Sequence, residues 1–332
     1  MAKGWLRALT EVSVLREKLE IVGLVDLDQA TAEALAAEFN LGNILIGTDL
    51  PEVLRESRAD LLFDIVVPAA RRAVVAAGLA HGCHVLSEKP MAATLDEARE
   101  LRRLATAASR VHAIVQNRRF IGGVRRIRRL IQSGALGELT ALHCDFFLGP
   151  HFGGFREQMD NVLLLDMAIH TFDAARFMSG KEPLAVYCHE YNPEGSWYRH
   201  GAAANAIFEF SDNVAFTYRG SWCAEGANTS WESAWRITGS KGTLLWDGGE
   251  RFEANVVTGR EGFLRAVGPI AVPEVEDGAD THGHASVIEH FIRAIDAGTV
   301  PETDGSDNIK SLAMVFGAID SAREGKRVTI AA

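Results

Sequence analysis

The sequence predicts an α/β protein. An N-terminal Rossmann-like, doubly wound parallel sheet lacking its first strand is joined to a C-terminal α+β domain with a largely antiparallel open sheet. Three observations carry this prediction. Up to Gln116, short apolar runs alternate with helical patterns, which is the rhythm of βαβ units. From Glu138 onward, strand-like runs follow one another with turns such as Ser211-Asp212-Asn213 and Gly239-Ser240-Lys241-Gly242 between them, as in an antiparallel sheet. The chain opens on Met1-Ala2-Lys3-Gly4-Trp5, already inside a helical pattern, where a dinucleotide-binding domain should open on a strand.

Taken in order, Ala2 to Leu19 reads as helix and Ile21 to Val25 as a buried strand ending in Asp26. Ala30 to Phe39 is helical, Asp60 to Val67 a strand closed by Pro68, and Arg71 to Ala80 helical. Cys83 to Ser87 is a short strand, Asp96 to Ala108 a helix and Val111 to Gln116 a strand. In the second half, Leu139 to Phe147, Leu184 to Glu190, Ala203 to Phe210, Val214 to Trp222, Ala234 to Thr238 and Thr243 to Trp246 read as strands. The expected domains are 1–118, 119–300 and 301–332.

The 332 residues are 47% apolar, enough for an ample core. A formal net charge of −10 argues against a nucleic-acid or anionic-membrane partner. Six arginines cluster between Arg118 and Arg129, where Arg125, Arg126, Arg128 and Arg129 read as the wet side of a helix ending at Gly134. Cys83, Cys144, Cys188 and Cys223 form no CxxC pair, which suits neither zinc nor a disulfide framework. With no transmembrane-length apolar run and no signal-peptide core, the expectation is a soluble, cytoplasmic protein. His282 and His284 read as a helix N-terminal loop, so no metal site is expected.

Two stretches carry chemistry. Asn161 to Phe177 reads as a helix. At roughly 100° per residue, Asp166, His170 and Asp173 fall within about 60° of one another. A histidine paired with a carboxylate one turn away can be held in one tautomer as a base, although such spacing is also common on a solvated helix face. The run Gly82-Cys83-His84-Val85-Leu86-Ser87-Glu88-Lys89-Pro90 is a strand ending in a charged pair and a proline. Residues just past the carboxyl ends of parallel strands line the ligand crevice, and a lysine there can set a cation beside a substrate hydroxyl.

Glu88-Lys89-Pro90 after such a strand, with Asp166-x-x-x-His170 later, resembles the Gfo/Idh/MocA family of glucose–fructose oxidoreductase and inositol dehydrogenase relatives, over nearly the whole chain. The resemblance implies dinucleotide binding for 1–118, substrate binding and oligomerisation for 119–300, and a C-terminal helix and tail, 301–332, packing back on the first domain. It implies Lys89, Asp166 and His170 as catalytic residues. It also implies cofactor contacts at Ala2, Pro68, Arg71, Glu88 and Gln116, with Ala2 matching the third small residue of the glycine fingerprint. Relatives often carry a histidine where this chain has Arg71. Arg119, His151 and Arg156 are the implied substrate neighbours, the latter two on the loop Gly149 to Arg156, and the outer sheet face implies a homo-oligomer. Tyr198, Tyr218, Trp222, Trp231 and Trp235 would suit that interface or the core.

The first strand and the two earlier glycines of G-x-G-x-x-G, whose amides meet a pyrophosphate, would precede Met1. That strand is normally central, between those holding Ile21–Val25 and Leu62–Val67. Because the sequence joins the pattern in mid-motif, the expectation is a shortened version of a longer chain rather than a natural variant without its cofactor grip. Asp26, ending the second strand, is placed to accept ribose hydroxyls and to repel a 2′-phosphate, so NAD is expected over NADP; the alternative is a turn aspartate. The expected activity is hydride transfer between NAD(P) and a hydroxyl carbon of a sugar, polyol or cyclitol. The alternatives are an NAD-dependent glycoside hydrolase and a non-catalytic sugar- or nucleotide-binding relative.

Overall fold

The computed structural model describes residues 1–275 and 280–332, which cluster into two compact units. One is Met1–Asn117 with His282–Ile309, and the other is Arg118–Thr281 with Lys310–Ala332.

The first unit runs α1 (Ala2–Glu11), α2 (Ser13–Lys18), β1 (Gly23–Val25), α3 (Gln29–Glu38), β2 (Leu45–Gly47), α4 (Leu50–Ser57), β3 (Leu61–Asp64), α5 (Pro68–Ala80), β4 (His84–Ser87), α6 (Leu95–Ala108) and β5 (His112–Ile114). Its helices begin where the chemistry of helix starts places them. Asp28, Asp49 and Thr94 accept backbone N–H groups at the starts of α3, α4 and α6, and Pro68 opens α5 where no amide is needed. All ladders here are parallel, but they form two sheets, β1·β2 and β3·β4·β5. Among the described residues no ladder joins β1 to β3, the neighbours between which a first Rossmann strand was expected. The short β2 and α4 were not anticipated.

The second unit continues with α7 (Gly122–Gln132), β6 (Leu139–Phe147), α8 (Ile169–Ser179), β7 (Pro183–Tyr191), β8 (Ala203–Phe210), β9 (Val214–Ser221), β10 (Ala234–Gly239), β11 (Gly242–Trp246), β12 (Phe252–Val257) and β13 (Val267–Pro269). After α9 (His284–Asp296), which belongs with the first unit, come α10 (Gly305–Glu324) and β14 (Val328–Thr329). Nine strands pair in the order β13-β12-β11-β10-β6-β9-β8-β7-β14, all antiparallel except β6 with β9. On β8, Ala206, Phe208 and Phe210 point inward while Asn205, Ile207 and Glu209 point out, the period-2 alternation of a half-covered sheet. Phe172 of α8 packs edge-on against Phe208 at 4.7 Å and Tyr218 at 5.2 Å, seating the helix on the sheet.

Three expectations change. The tail joins the second unit, because β14 pairs with β7 and so covers a sheet edge that would otherwise expose unpaired backbone groups. The late segment that clusters with the first unit is instead His282–Ile309, where the Ile114 amide donates to the Thr303 carbonyl. The arginines of α7 are not a plain solvated face. Arg125 and Arg128 lie over the Phe177 ring at 5.0 and 4.2 Å, and Arg126 lies over Phe252 at 4.4 Å and donates to the carbonyls of Val272 and Pro273. Of the five aromatics named for interface or core, Tyr198, Tyr218, Trp222 and Trp235 are core, and Trp231 stays half exposed.

Candidate active site

In the first unit, Asp64 and Ser87 end β3 and β4 side by side, and His112, the first residue of β5, reaches Ser87. Ser87 Oγ lies 3.0 Å from His112 Nε2, and burial depresses that imidazole to about 3, keeping it neutral. Burial pushes the Asp64 carboxyl up, while the charge of Arg71 and the Ser87 hydroxyl draw it back down. Arg71 is itself fully buried. Its Nε donates to Asp64 at 2.8 Å, Nη2 to the Val66 carbonyl at 2.6 Å and Nη1 to the Pro90 carbonyl at 2.5 Å. A guanidinium's fixed fork can tie three strand ends and turns at once, which a histidine could not. Arg71 therefore faces inward, its guanidinium held by these three partners.

Lys89 follows β4, half-buried, with a cis peptide to Pro90. Glu88 is buried and accepts from Trp5 Nε1 at 2.8 Å. His284, at the start of α9, meets Trp5 edge-on at 4.6 Å, and its imidazole is pushed down by burial. Among the described residues no group of three His, Cys, Asp or Glu side chains could hold a metal ion.

A dinucleotide can be tested against these residues. Asp26 is exposed at the end of β1, where its carboxylate accepts the Asp28 amide at 3.0 Å; Asp28, not Asp26, caps α3. Pro68 opens α5 at the end of β3, beside an exposed Val67. Gln116, just past β5, is fully buried, yet among the described residues neither its amide oxygen nor its amide nitrogen has a hydrogen-bond partner. A buried orphan amide is costly unless something polar satisfies it, so this end of the sheet suits a polar ligand group. Ala2 opens α1, whose first-turn amides would meet a pyrophosphate. The residues present fit the ends of a dinucleotide; the G-x-G turn for its centre is not part of the sequence.

In the second unit, the helical stretch begins at Asn161, held at φ 50°, a left-handed conformation that asparagine tolerates better than most residues. Leu163–Ala168 then winds as a π-helix before α8, a widened turn that recurs at functional sites. Within α8 every residue but His170 is buried, so its part-exposed imidazole is the reachable group on an otherwise covered helix. Asp166, also half-buried, accepts from Arg156 Nε at 2.7 Å. The expected three-residue polar face reduces to two. Asp173 turns into the core, where Arg119 grips it bidentately at 2.7 and 2.6 Å and Ser311 donates at 2.6 Å. Arg119 is thus committed to a buried ion pair. His151 lies on the loop surface, stacked on Trp197 at 3.7 Å with Nε2 3.3 Å from Glu225.

A small cavity beside His170 is also lined by Arg118, Trp231 and Glu232, with Arg118 paired to Glu232. Burial lowers Arg118 to about 10. Sequence reasoning missed these three residues. Trp231 and Glu232 lie in a turn between strands with no motif around them, and Arg118 was read only as part of the arginine cluster.

A split parallel sheet with Lys89 at a strand end, and a second unit with Asp166 and His170 on a helix over an open sheet, define a dinucleotide-binding oxidoreductase architecture. Known families agree. Residues 6–116 match the oxidoreductase family with an NAD-binding Rossmann fold, and residues 124–245 match the GFO/IDH/MocA C-terminal domain, together more than half of the chain. The chain belongs to the Gfo/Idh/MocA family of oxidoreductases, and NAD is its cofactor class. It is 25% identical to an uncharacterised protein of Sinorhizobium fredii over 98% of this chain and 92% of that one. It is 24% identical to a D-apiose dehydrogenase of Paraburkholderia graminis over 94% and 83%. An oxidoreductase from Agrobacterium radiobacter, crystallised with NAD+, L-tartaric acid and magnesium, shares the fold with a TM-score of 0.80 at 19% identity, covering 93% of this chain and 90% of that one.

Proposed function

We propose that the protein oxidises, with NAD, a hydroxyl carbon of a sugar, polyol or cyclitol. The observation that carries this reading is His170, half-exposed on a buried helix one turn from the Asp166–Arg156 pair. His170 takes the hydroxyl proton as its carbon gives up hydride. Asp166 orients the imidazole and hydrogen-bonds the substrate, while Arg156 holds the Asp166 carboxylate in place. Lys89 hydrogen-bonds the reacting oxygen and favours its loss of a proton. Bound NAD supplies the hydride acceptor. Asp26 receives the ribose hydroxyls, Gln116 the nicotinamide end, and Pro68 with the amides of α1 the remainder. We give Arg71, Glu88 and Arg119 the work of holding elements together, and leave His151 at the rim of the substrate loop.

The named activity of the Paraburkholderia relative supports a sugar substrate. The cytoplasm is supported by four free cysteines, and no helix among the described residues is long and apolar enough to cross a membrane. A homo-oligomer through the outer sheet face is supported by the exposed cross-strand pair Tyr187–Ile207. The test is NADH formation by the full chain with NAD+ and a panel of pyranoses, cyclitols and open-chain polyols. Lasting NADH absorbance supports the reading. Cleavage of aryl glycosides without NADH accumulation makes the protein a glycosidase instead, and no turnover with retained sugar binding makes it a sensor.

A further inference from the structure

Large aromatic side chains that stay half exposed beside polar, chemistry-bearing residues are informative, because burying a ring is strongly favourable and a fold normally does so. Phe152 is 45% exposed and Trp231 46%. They come from different segments, the loop after β6 and the turn before β10, yet their ring centroids lie 6.4 Å apart with planes at 51°, forming an open corner. Trp222, buried in the core, backs Phe152 at 5.3 Å. At one end of the corner, Trp231 shares the small cavity with His170. At the other, the Arg156 guanidinium lies 5.0 Å from the Phe152 centroid while its Nε holds Asp166. The two rings therefore lie in one continuous line of contacts from the imidazole to the carboxylate. Singly scattered exposed aromatics are ordinary; a pair bridging two polar groups on neighbouring turns of one helix is not scattered.

We infer that Phe152 and Trp231 form a stacking corner that selects a ring-shaped substrate, a pyranose or cyclitol, over an open-chain polyol. The inference rests on the proposed dehydrogenase reading and names its substrate class. A chair-form ring carries axial C–H groups on its faces and equatorial hydroxyls around its edge. The faces are apolar and flat enough to lie on an aromatic ring, and the edge hydroxyls then meet charged hydrogen-bonding groups, here Arg156 with Asp166 and Arg118 with Glu232. An open-chain polyol presents no such face, and ordering its rotatable bonds costs entropy on binding. The cavity itself, about 10 Å³, has room for no more than a water molecule, so the ring lies over the open corner rather than inside it.

The test uses the full chain and two variants, Trp231→Ala and Phe152→Leu, with myo-inositol, D-glucose and D-xylose as ring probes and D-sorbitol and D-mannitol as open-chain probes. The expected result is higher kcat/KM for ring probes in the wild type. Each variant should raise KM for those probes about tenfold, on the scale of one aromatic contact, with a much smaller change in kcat. Both positions are half exposed, so circular dichroism should show the fold intact. Wild-type preference for sorbitol or mannitol overturns the inference while leaving the dehydrogenase reading in place, and so does an unchanged KM in both variants. If the wild type turns over none of the probes, tryptophan fluorescence decides. Quenching by a ring probe that is lost in Trp231→Phe supports the stacking corner without the oxidation chemistry, and no quenching overturns it.

Discussion

Arg71 and Pro90 are joined by a 2.5 Å hydrogen bond from Nη1 to the carbonyl oxygen, so a fully buried guanidinium holds the turn immediately after Lys89. The same side chain neutralises Asp64 and satisfies the Val66 carbonyl. At a position where the family resemblance implies a cofactor contact, this chain's guanidinium fastens the strand ends.

Arg71→Leu should therefore act on stability first. It leaves Asp64, 1% exposed, without its counter-charge, a loss of about 3–5 kcal/mol for a broken buried pair. Urea denaturation of wild type and variant measures it. A loss below about 1 kcal/mol, the scale of a surface pair, would contradict the buried network.

Lys89→Ala and His170→Asn should each lower kcat by at least about a hundredfold, the range of positioned proton transfer. Calorimetric NAD affinity should stay within about threefold, because neither residue is assigned to cofactor binding. Near-wild-type turnover in either variant removes that residue from the catalytic set.

Asp26→Ser should weaken NAD binding and narrow the preference over NADP by about tenfold, since it removes both a ribose acceptor and a charge that repels a 2′-phosphate. Parallel titrations with the two dinucleotides read this directly. An unchanged ratio would make Asp26 a turn aspartate that serves only the Asp28 amide.

Glu190, near the end of β7, predicts a pH dependence. Burial raises its carboxyl to about 7; the Asn161 amide donates to it and pulls it down, and Asp160 pushes it up. A Cβ on Gly201 would come within 2.5 Å of the Glu190 carboxyl carbon, so the pocket around it is tight. Between the ordinary glutamate range and about 7, the unfolded chain gives up this proton while the folded one keeps it. Stability from this group is therefore present at low pH and lost as pH rises through that window, then level above it. Glu190→Gln keeps an acceptor for Asn161 without the charge. It should be more stable than wild type at pH 8 by about 1 kcal/mol, after allowing for solvent screening, and little different at pH 4. Urea curves at both pH values test the sign, and a gap that widens at low pH would reverse it.

Much of the fold was legible because its signals are local. Alternation fixed β6 and β8 to the residue, and Ser211-Asp212-Asn213 marked their neighbour's turn. The strands β2, β12, β13 and β14 were missed; β2, β13 and β14 run for only two or three residues, too few to show a period. Candidate-site residues separated the same way. Lys89 and His170 were visible through motif and spacing, whereas nothing around Trp231 or Glu232 distinguishes them until the fold sets them beside His170.

The sequence by itself determined the two-part α/β and α+β architecture, the family, and the residue types available for chemistry, because periodicity, turn chemistry and short motifs are properties of neighbouring residues. Only the tertiary structure decided what each charge faces. Asp173 and Asp166 share a helical stretch, yet the π-turn and the packing of α8 send one into a buried pair with Arg119 and leave the other half-exposed with Arg156. Arg71 likewise became a fastening through partners up to 19 positions away. Burial and long-range pairing set the role of an ionisable side chain, and both arise from contacts that no local pattern encodes.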